Sequence, residues 1–187
     1  MKKYVLIAAL AALPVNPALA ADYTVDSSHT YVSFAISHLG FSTMRGQFDQ
    51  QTGTMQFDPS AKKASVMIEI ESASIDTGHD KRDSHLRSPD FLNTAEYPTI
   101  SFESTDVSWN GEQPASVTGN LTLLGVSKPV TLTITAMKCG VNPINKKETC
   151  GFDATGSVKR TDFGMNYGVP GIGEVLDLSI EFEATKN

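Results

Sequence analysis

The sequence is poor in basic residues and in long apolar runs, and each shortage argues against a class of function. Its 187 residues include 15 lysines and arginines against 21 aspartates and glutamates, a formal net charge of −6. An acidic chain is repelled by phosphate backbones and by anionic lipid heads, so we expect neither nucleic-acid binding nor electrostatic attachment to a membrane. Beyond residue 20, no apolar run approaches the roughly 20 residues that a membrane-spanning helix needs.

The usual signatures of catalytic and metal sites are also missing. The four histidines, His29, His38, His79 and His85, include no His-x-x-x-His pair that would place two ligands on one helix face. No Gly-x-Ser-x-Gly sequence and no phosphate-binding glycine loop occurs. We therefore predict no catalytic residues, no metal and no cofactor. A histidine- or metal-dependent enzyme remains the alternative, should the fold bring the histidines together.

The first twenty residues predict secretion. Lys2 and Lys3 precede an apolar run at 4–13, which is too short to span a bilayer, and Ala18-Leu19-Ala20 has the small residues of a signal-peptidase site. We expect cleavage after Ala20 and a single mature domain of residues 21–187. Without Lys2 and Lys3, 13 basic residues remain against 21 acidic ones, so the mature net charge is −8.

The chain has two cysteines, Cys139 and Cys150, with the turn-forming pair Asn142-Pro143 between them. Secreted proteins mature in oxidising compartments, where such a pair persists as a disulfide. A redox-active pair would favour the close Cys-x-x-Cys spacing, which is absent. We predict a structural disulfide across a hairpin.

Alternation of apolar and polar residues dominates the mature chain and predicts β-strands. The run "VLDLSIEFEA" at 175–184 is the clearest case. About eight such strands, separated by turn residues, predict an antiparallel barrel or sandwich. The alternation assigns one apolar face to Val32, Phe34, Ile36, Phe48, Ile68, Ile70, Ile100, Phe102, Leu121, Leu132, Leu178, Ile180 and Phe182.

Alternation does not show which face of a barrel points outward. An outer-membrane barrel is therefore a rival, although Glu69 and Glu71 in mid-strand argue against it. With the apolar face inward, an eight-stranded barrel either fills with its own side chains or holds one slender ligand. A ligand cavity of this composition would suit a hydrocarbon chain, stabilised by about 0.8 kcal/mol per buried CH₂.

The insertion segment, residues 75–98, differs from the strands because it is dense in charge. Thr77 predicts a helix N-cap answered by Asp80, and Asp83 with Arg87 has the spacing of a helical ion pair. We predict a short helical insertion near 79–92. Its apolar side chains are Leu86, Phe91 and Leu92.

The stretch "SIDTGHDKRDSHLRSPDFLNTAEYPTISFES" at 74–104 closely resembles the signature of the YceI-like family, also called the polyisoprenoid-binding family. Residues 26–49, 117–134 and 158–168 are similar to other parts of its pattern, so the resemblance spans essentially the whole mature chain. It is nearest to periplasmic members of Gram-negative bacteria. The Cys139–Cys150 hairpin departs from the family without touching these motifs.

The resemblance implies a lipocalin-like, eight-stranded antiparallel barrel with a helical insertion. It also implies a periplasmic protein, not an enzyme, that holds an isoprenoid-type lipid such as a quinone or a polyprenyl chain. The thirteen residues of the apolar face would line the site, and Leu86 and Phe91 would cover it, with Asp/Arg pairs holding the cover in place. An open sheet edge would allow a homodimer.

Overall fold

The fold is that of a computed structural model, which describes residues 20–187. The predicted signal peptide lies, apart from Ala20, outside these residues. The strands are β1 (Ala21–Val25), β2 (Tyr31–His38), β3 (Ser42–Phe48), β4 (Gln51–Asp58), β5 (Lys63–Glu71), β6 (Ile75–Asp76), β7 (Thr99–Asn110), β8 (Gln113–Leu123), β9 (Val126–Val141), β10 (Glu148–Lys159) and β11 (Val175–Lys186), and the helix α1 is Asp80–Leu86. Among residues 20–187, no helix is long and apolar enough to cross a membrane.

The eleven strands occupy eight positions in a closed barrel. The order is β1-β4-β5-β7-β8-β9-β10-β11, and β11 pairs again with β1. β1 and β2 pair with successive parts of β11 and so share one position. Val25 of β1 pairs with Ala184, and Ala35 of β2 pairs with Asp177. β3 and β4 share a second position in the same way, since β3 pairs with β2 and β4 pairs with β1. The predicted eight-stranded antiparallel barrel is confirmed, and the sandwich is wrong.

The apolar face of each strand points into the barrel. On β5, Ile70 is buried and Ile68 half-buried, while Glu69 and Glu71 between and beyond them are exposed.

The ring of pairings also removes the long open edge on which the expected homodimer depended. Within the described chain, the two-residue β6 is the strand that ends the sheet. The homodimer stays a prediction.

The disulfide lies at one end of the barrel, within its own pair of strands. Cys139 and Cys150 are bonded and are directly paired residues of β9 and β10, which confirms the predicted bridge. Cys150 and Ala184 are fully buried there. Nearby, burial and a hydrogen bond to Glu148 raise the pKa of Tyr23 to about 12. This end of the barrel is a packed core.

We predict that reducing the disulfide lowers the free energy of unfolding by about 3 kcal/mol, because the unfolded chain regains the freedom of the hairpin loop. Urea denaturation of the protein with and without dithiothreitol measures this. The Cys139→Ala/Cys150→Ala variant is the control and should not respond to the reductant. Equal stability of the native protein in both conditions would contradict the prediction.

Candidate functional site

The barrel encloses an apolar cavity of about 320 Å³ beneath the insertion segment, which we call the upper cavity. This volume lies at the lower end of the range for small-molecule sites, about 300–1,000 Å³. Two thirds of the predicted site residues line it: Val32, Phe34, Ile36, Phe48, Ile70, Leu86, Phe91, Ile100, Leu121 and Leu178.

A second, smaller cavity of about 110 Å³, the lower cavity, lies towards the disulfide end. The remaining predicted residues line this one: Ile68, Phe102, Leu132, Ile180 and Phe182. Alternation placed thirteen of the fifteen on inward positions, and the other two, Leu86 and Phe91, were placed on the insertion segment as its cover. It could not show at which level along the strands the side chains meet, so the division into two cavities was not predicted.

The insertion segment covers the upper cavity where the strands separate. The ladder between β5 and β7 ends at the pair Glu71–Thr99, while β6 pairs with β3. The chain between β6 and β7 therefore crosses the end of the barrel. Phe91 and Leu92 are buried and Leu86 is half-buried, and all three line the upper cavity.

Charged side chains hold this cover, but not through the predicted contacts. Thr77 does not cap α1; the N-cap is His79, whose Nδ1 accepts from the Arg82 amide at 3.3 Å. The chain turns through Gly78, which has a φ of +72°, so Thr77 lies beside the helix instead of at its first turn. The buried Asp83 accepts hydrogen bonds from the Thr77 amide and hydroxyl.

The predicted ion pair between Asp83 and Arg87 is also wrong. Arg87 donates from Nε to the Ala73 carbonyl at 2.7 Å and from Nη2 to the Ile75 carbonyl at 2.9 Å. Both residues thus bond to residues 73–77, where the chain enters the insertion segment. Leaving these carbonyls without a donor near an apolar interior would cost more free energy than an exposed ion pair contributes. Arg87 therefore bonds to the carbonyls and not to Asp83.

Three rings join the insertion segment to the mouth loop, residues 164–174. The centroids of His85, Phe91 and Tyr167 lie 5.1–5.2 Å from one another, with edge-to-face or tilted geometry. His85 also contacts Asp90 through Nε2 at 2.9 Å. Tyr167 is 47% exposed yet lines the upper cavity, so this aromatic clasp lies between the cavity and solvent.

Arg160 shapes the mouth loop and was missed from the sequence. It is 1% exposed and donates to the carbonyls of Gly173, Met165, Tyr167 and Ile172 at 2.7–3.1 Å. Burial lowers the pKa of its guanidinium. The sequence did contain a signal for Arg160, because the residue falls on an inward position of the alternation that runs along β10.

On β10, Ala154, Gly156 and Val158 are inward positions, and Arg160 continues that series two residues on. An arginine on an apolar face must find several acceptors. Among the other missed lining residues, Met165, Tyr167 and Ile172 lie in a loop that has no alternation to mark them.

The four histidines do not share a site. His38 and His85 line the upper cavity, and His79 caps α1. His29 contacts Asp26 at 2.9 Å, which raises the pKa of the imidazole, while hydrogen bonds from Ser28 and His29 lower the pKa of Asp26. Asp26, His29 and Glu183 place their ligand atoms within 4.8 Å of one another, but none of them lines either cavity. The four histidines therefore do not come together as one group, and a histidine- or metal-dependent enzyme stays an alternative.

Comparison with known proteins gives one consistent result. A sequence model of the YceI-like domain matches residues 23–184. Protein YceI of Escherichia coli is 42% identical over 193 residues, which covers 100% of this chain and 99% of that protein.

Solved structures are also similar. The Campylobacter jejuni YceI protein has a TM-score of 0.70 at 28% identity and covers 81% of this chain and 90% of its own. A polyisoprenoid binding domain from Saccharophagus degradans has a TM-score of 0.63 at 16% identity and covers 91% and 100%; at that identity it supports the fold alone.

We predict that Arg87→Met lowers the free energy of unfolding by about 2–3 kcal/mol, because two part-buried carbonyls lose a charged donor while the aliphatic stem is kept. The matched control is Lys81→Met on the exposed side of α1, which should change stability by less than about 0.5 kcal/mol. Urea denaturation compares the two. Equal effects would show that the carbonyl contacts of Arg87 do not hold the cover.

Proposed function

Because the chain belongs to the YceI-like family, we propose that it is a periplasmic carrier that holds an isoprenoid-type lipid, such as a quinone or a polyprenyl chain. The observation that carries the proposal is the apolar upper cavity inside the closed barrel. A water-insoluble chain bound there would be shielded from most of the solvent by strands, insertion segment and mouth loop.

The chemistry of the cavity wall supports a hydrocarbon ligand. Five arginines and histidines line the wall. Three of them use their polar atoms elsewhere: Arg160 on backbone carbonyls, Arg82 on Thr77 and His85 on Asp90. Arg45 and His38 are the other two, and the rest of the lining is predominantly apolar. Binding would therefore come from burial, at about 0.8 kcal/mol per CH₂, and would strengthen with chain length until the cavity is full. A polar head group would stay at the exposed side of the aromatic clasp.

Two further observations favour an isoprenoid in the periplasm. The Saccharophagus degradans domain that shares this fold is described as binding polyisoprenoid, although its sequence is distant. The Cys139–Cys150 bond fits an oxidising compartment, as the leader at 1–20 also predicts.

We predict that protein purified from the periplasm releases an isoprenoid lipid on organic extraction, detected by mass spectrometry. Leu86→Asp should lose it, because the change replaces an apolar lining side chain with a carboxylate, which is costly to bury against a hydrocarbon chain. Ile144→Asp is the control, since it adds the same charge to a residue that is 90% exposed and lines neither cavity. Extracts of the native protein that hold no more lipid than those of Leu86→Asp would refute the carrier function.

We predict that Tyr167→Ala releases a bound prenyl probe several-fold faster, because the clasp loses the ring that joins the mouth loop to the insertion. Stopped-flow transfer of dansyl-labelled farnesol to vesicles measures the rate. Tyr167→Phe keeps the ring and should behave as the native protein does. Indistinguishable rates for the alanine variant would mean that the clasp does not gate the cavity.

A further inference from the structure

One layer of side chains separates the two cavities. Inward residues on a strand are two positions apart, about 6–7 Å along its length. That single step leads from the upper cavity to the lower one on three strands: Ile70 to Ile68 on β5, Ile100 to Phe102 on β7 and Leu178 to Ile180 on β11.

Three residues of this layer, Ile68, Phe102 and Leu132, form what we call the septum. All three line the lower cavity, and all three pack against the buried core that surrounds the upper cavity, which includes Ile70 and Ile100. They therefore lie between the two spaces. Side chains divide the interior at this level, while the backbone of the barrel continues past them.

Each septum residue lies over a glycine of a neighbouring strand. A β-carbon at Gly119 would lie 2.5 Å from Phe102 Cζ, one at Gly53 2.7 Å from Ile68 Cδ1, and one at Gly156 2.7 Å from Leu132 Cδ2. Such distances are too short for real contacts, so the septum side chains occupy the space that larger residues would fill. Each of these side chains therefore lies partly over the backbone of the neighbouring strand.

We infer that the septum sets the length of the hydrocarbon chain that the barrel accepts. This inference rests on the proposed carrier function and extends it to ligand selection. A linear prenyl chain fills the upper cavity from the mouth and ends at the septum. A longer chain needs the lower cavity, which it reaches only if the septum is reduced. Phe102, the largest of the three, is the principal length-determining residue.

The test is the affinity of a series of all-trans prenols, from farnesol to solanesol, measured by displacement of dansyl-labelled farnesol. For the native protein, affinity should rise along the series until the upper cavity is full and then stop rising. In Phe102→Ala the cavities join, so the rise should continue to longer prenols, with a gain of about tenfold for the first chain beyond the native limit.

The control is Phe152→Ala. Phe152 also lines the lower cavity but packs with the core at the disulfide end, against Phe57 and Phe182. The same truncation there enlarges the lower cavity without opening the septum, so the native limit should be kept. If the phenylalanine variants do not fold, Leu132→Ala and its neighbour on β9, Ile134→Ala, form a second pair with the same expected contrast.

The outcomes separate this inference from the proposed function. If native protein binds no prenol, the isoprenoid carrier function is wrong. If native protein binds prenols and both variants of a pair show the native length limit, the carrier function stands and the septum inference is wrong. An equal shift in both variants would also overturn it, since general loosening of the core would then explain the change.

Discussion

Closure of the sheet through the pairing of β1 with β11 is the constraint on which the rest of the structure depends. Eight strand positions fix a diameter at which inward side chains nearly, but not completely, fill the lumen. At the disulfide end, Phe57, Phe152 and Phe182 complete that filling around a cavity of about 110 Å³. At the other end β6 and β7 diverge, and a larger space remains that must be covered.

The charged insertion segment follows from this geometry. A cover of irregular chain over an apolar space has backbone carbonyls and amides without ladder partners, and these are costly to bury alone. Arg87, Asp83 and Arg82 bond to the backbone or hydroxyl groups of residues 73–77, and Arg160 does the same for the mouth loop. These charged side chains thus hold two irregular segments in place around an apolar cavity. This structural role explains why a binding protein has a charge-dense insertion segment, and it requires no catalytic function for those charges.

The sequence predicted the barrel far better than it predicted these contacts. Alternation depends on a period of two that each strand shows by itself, so the inward position of Ile70 or Leu178 could be read locally. The capping role of Thr77 and the pairing of Asp83 with Arg87 were assigned from helical spacing, and both were wrong because the competing partners lie outside the helix. Arg160 and the septum depend on which side chains meet across the barrel, as with Phe102 and Gly119, and no local pattern contains that information.

The most direct test of the account is a crystal structure of the protein purified with its native lipid. The account predicts continuous density for one hydrocarbon chain that enters beside Tyr167, lies against Leu121 and Leu178, and ends at Phe102. Density on the outer surface of the barrel, or an upper cavity filled by rearranged side chains, would contradict it.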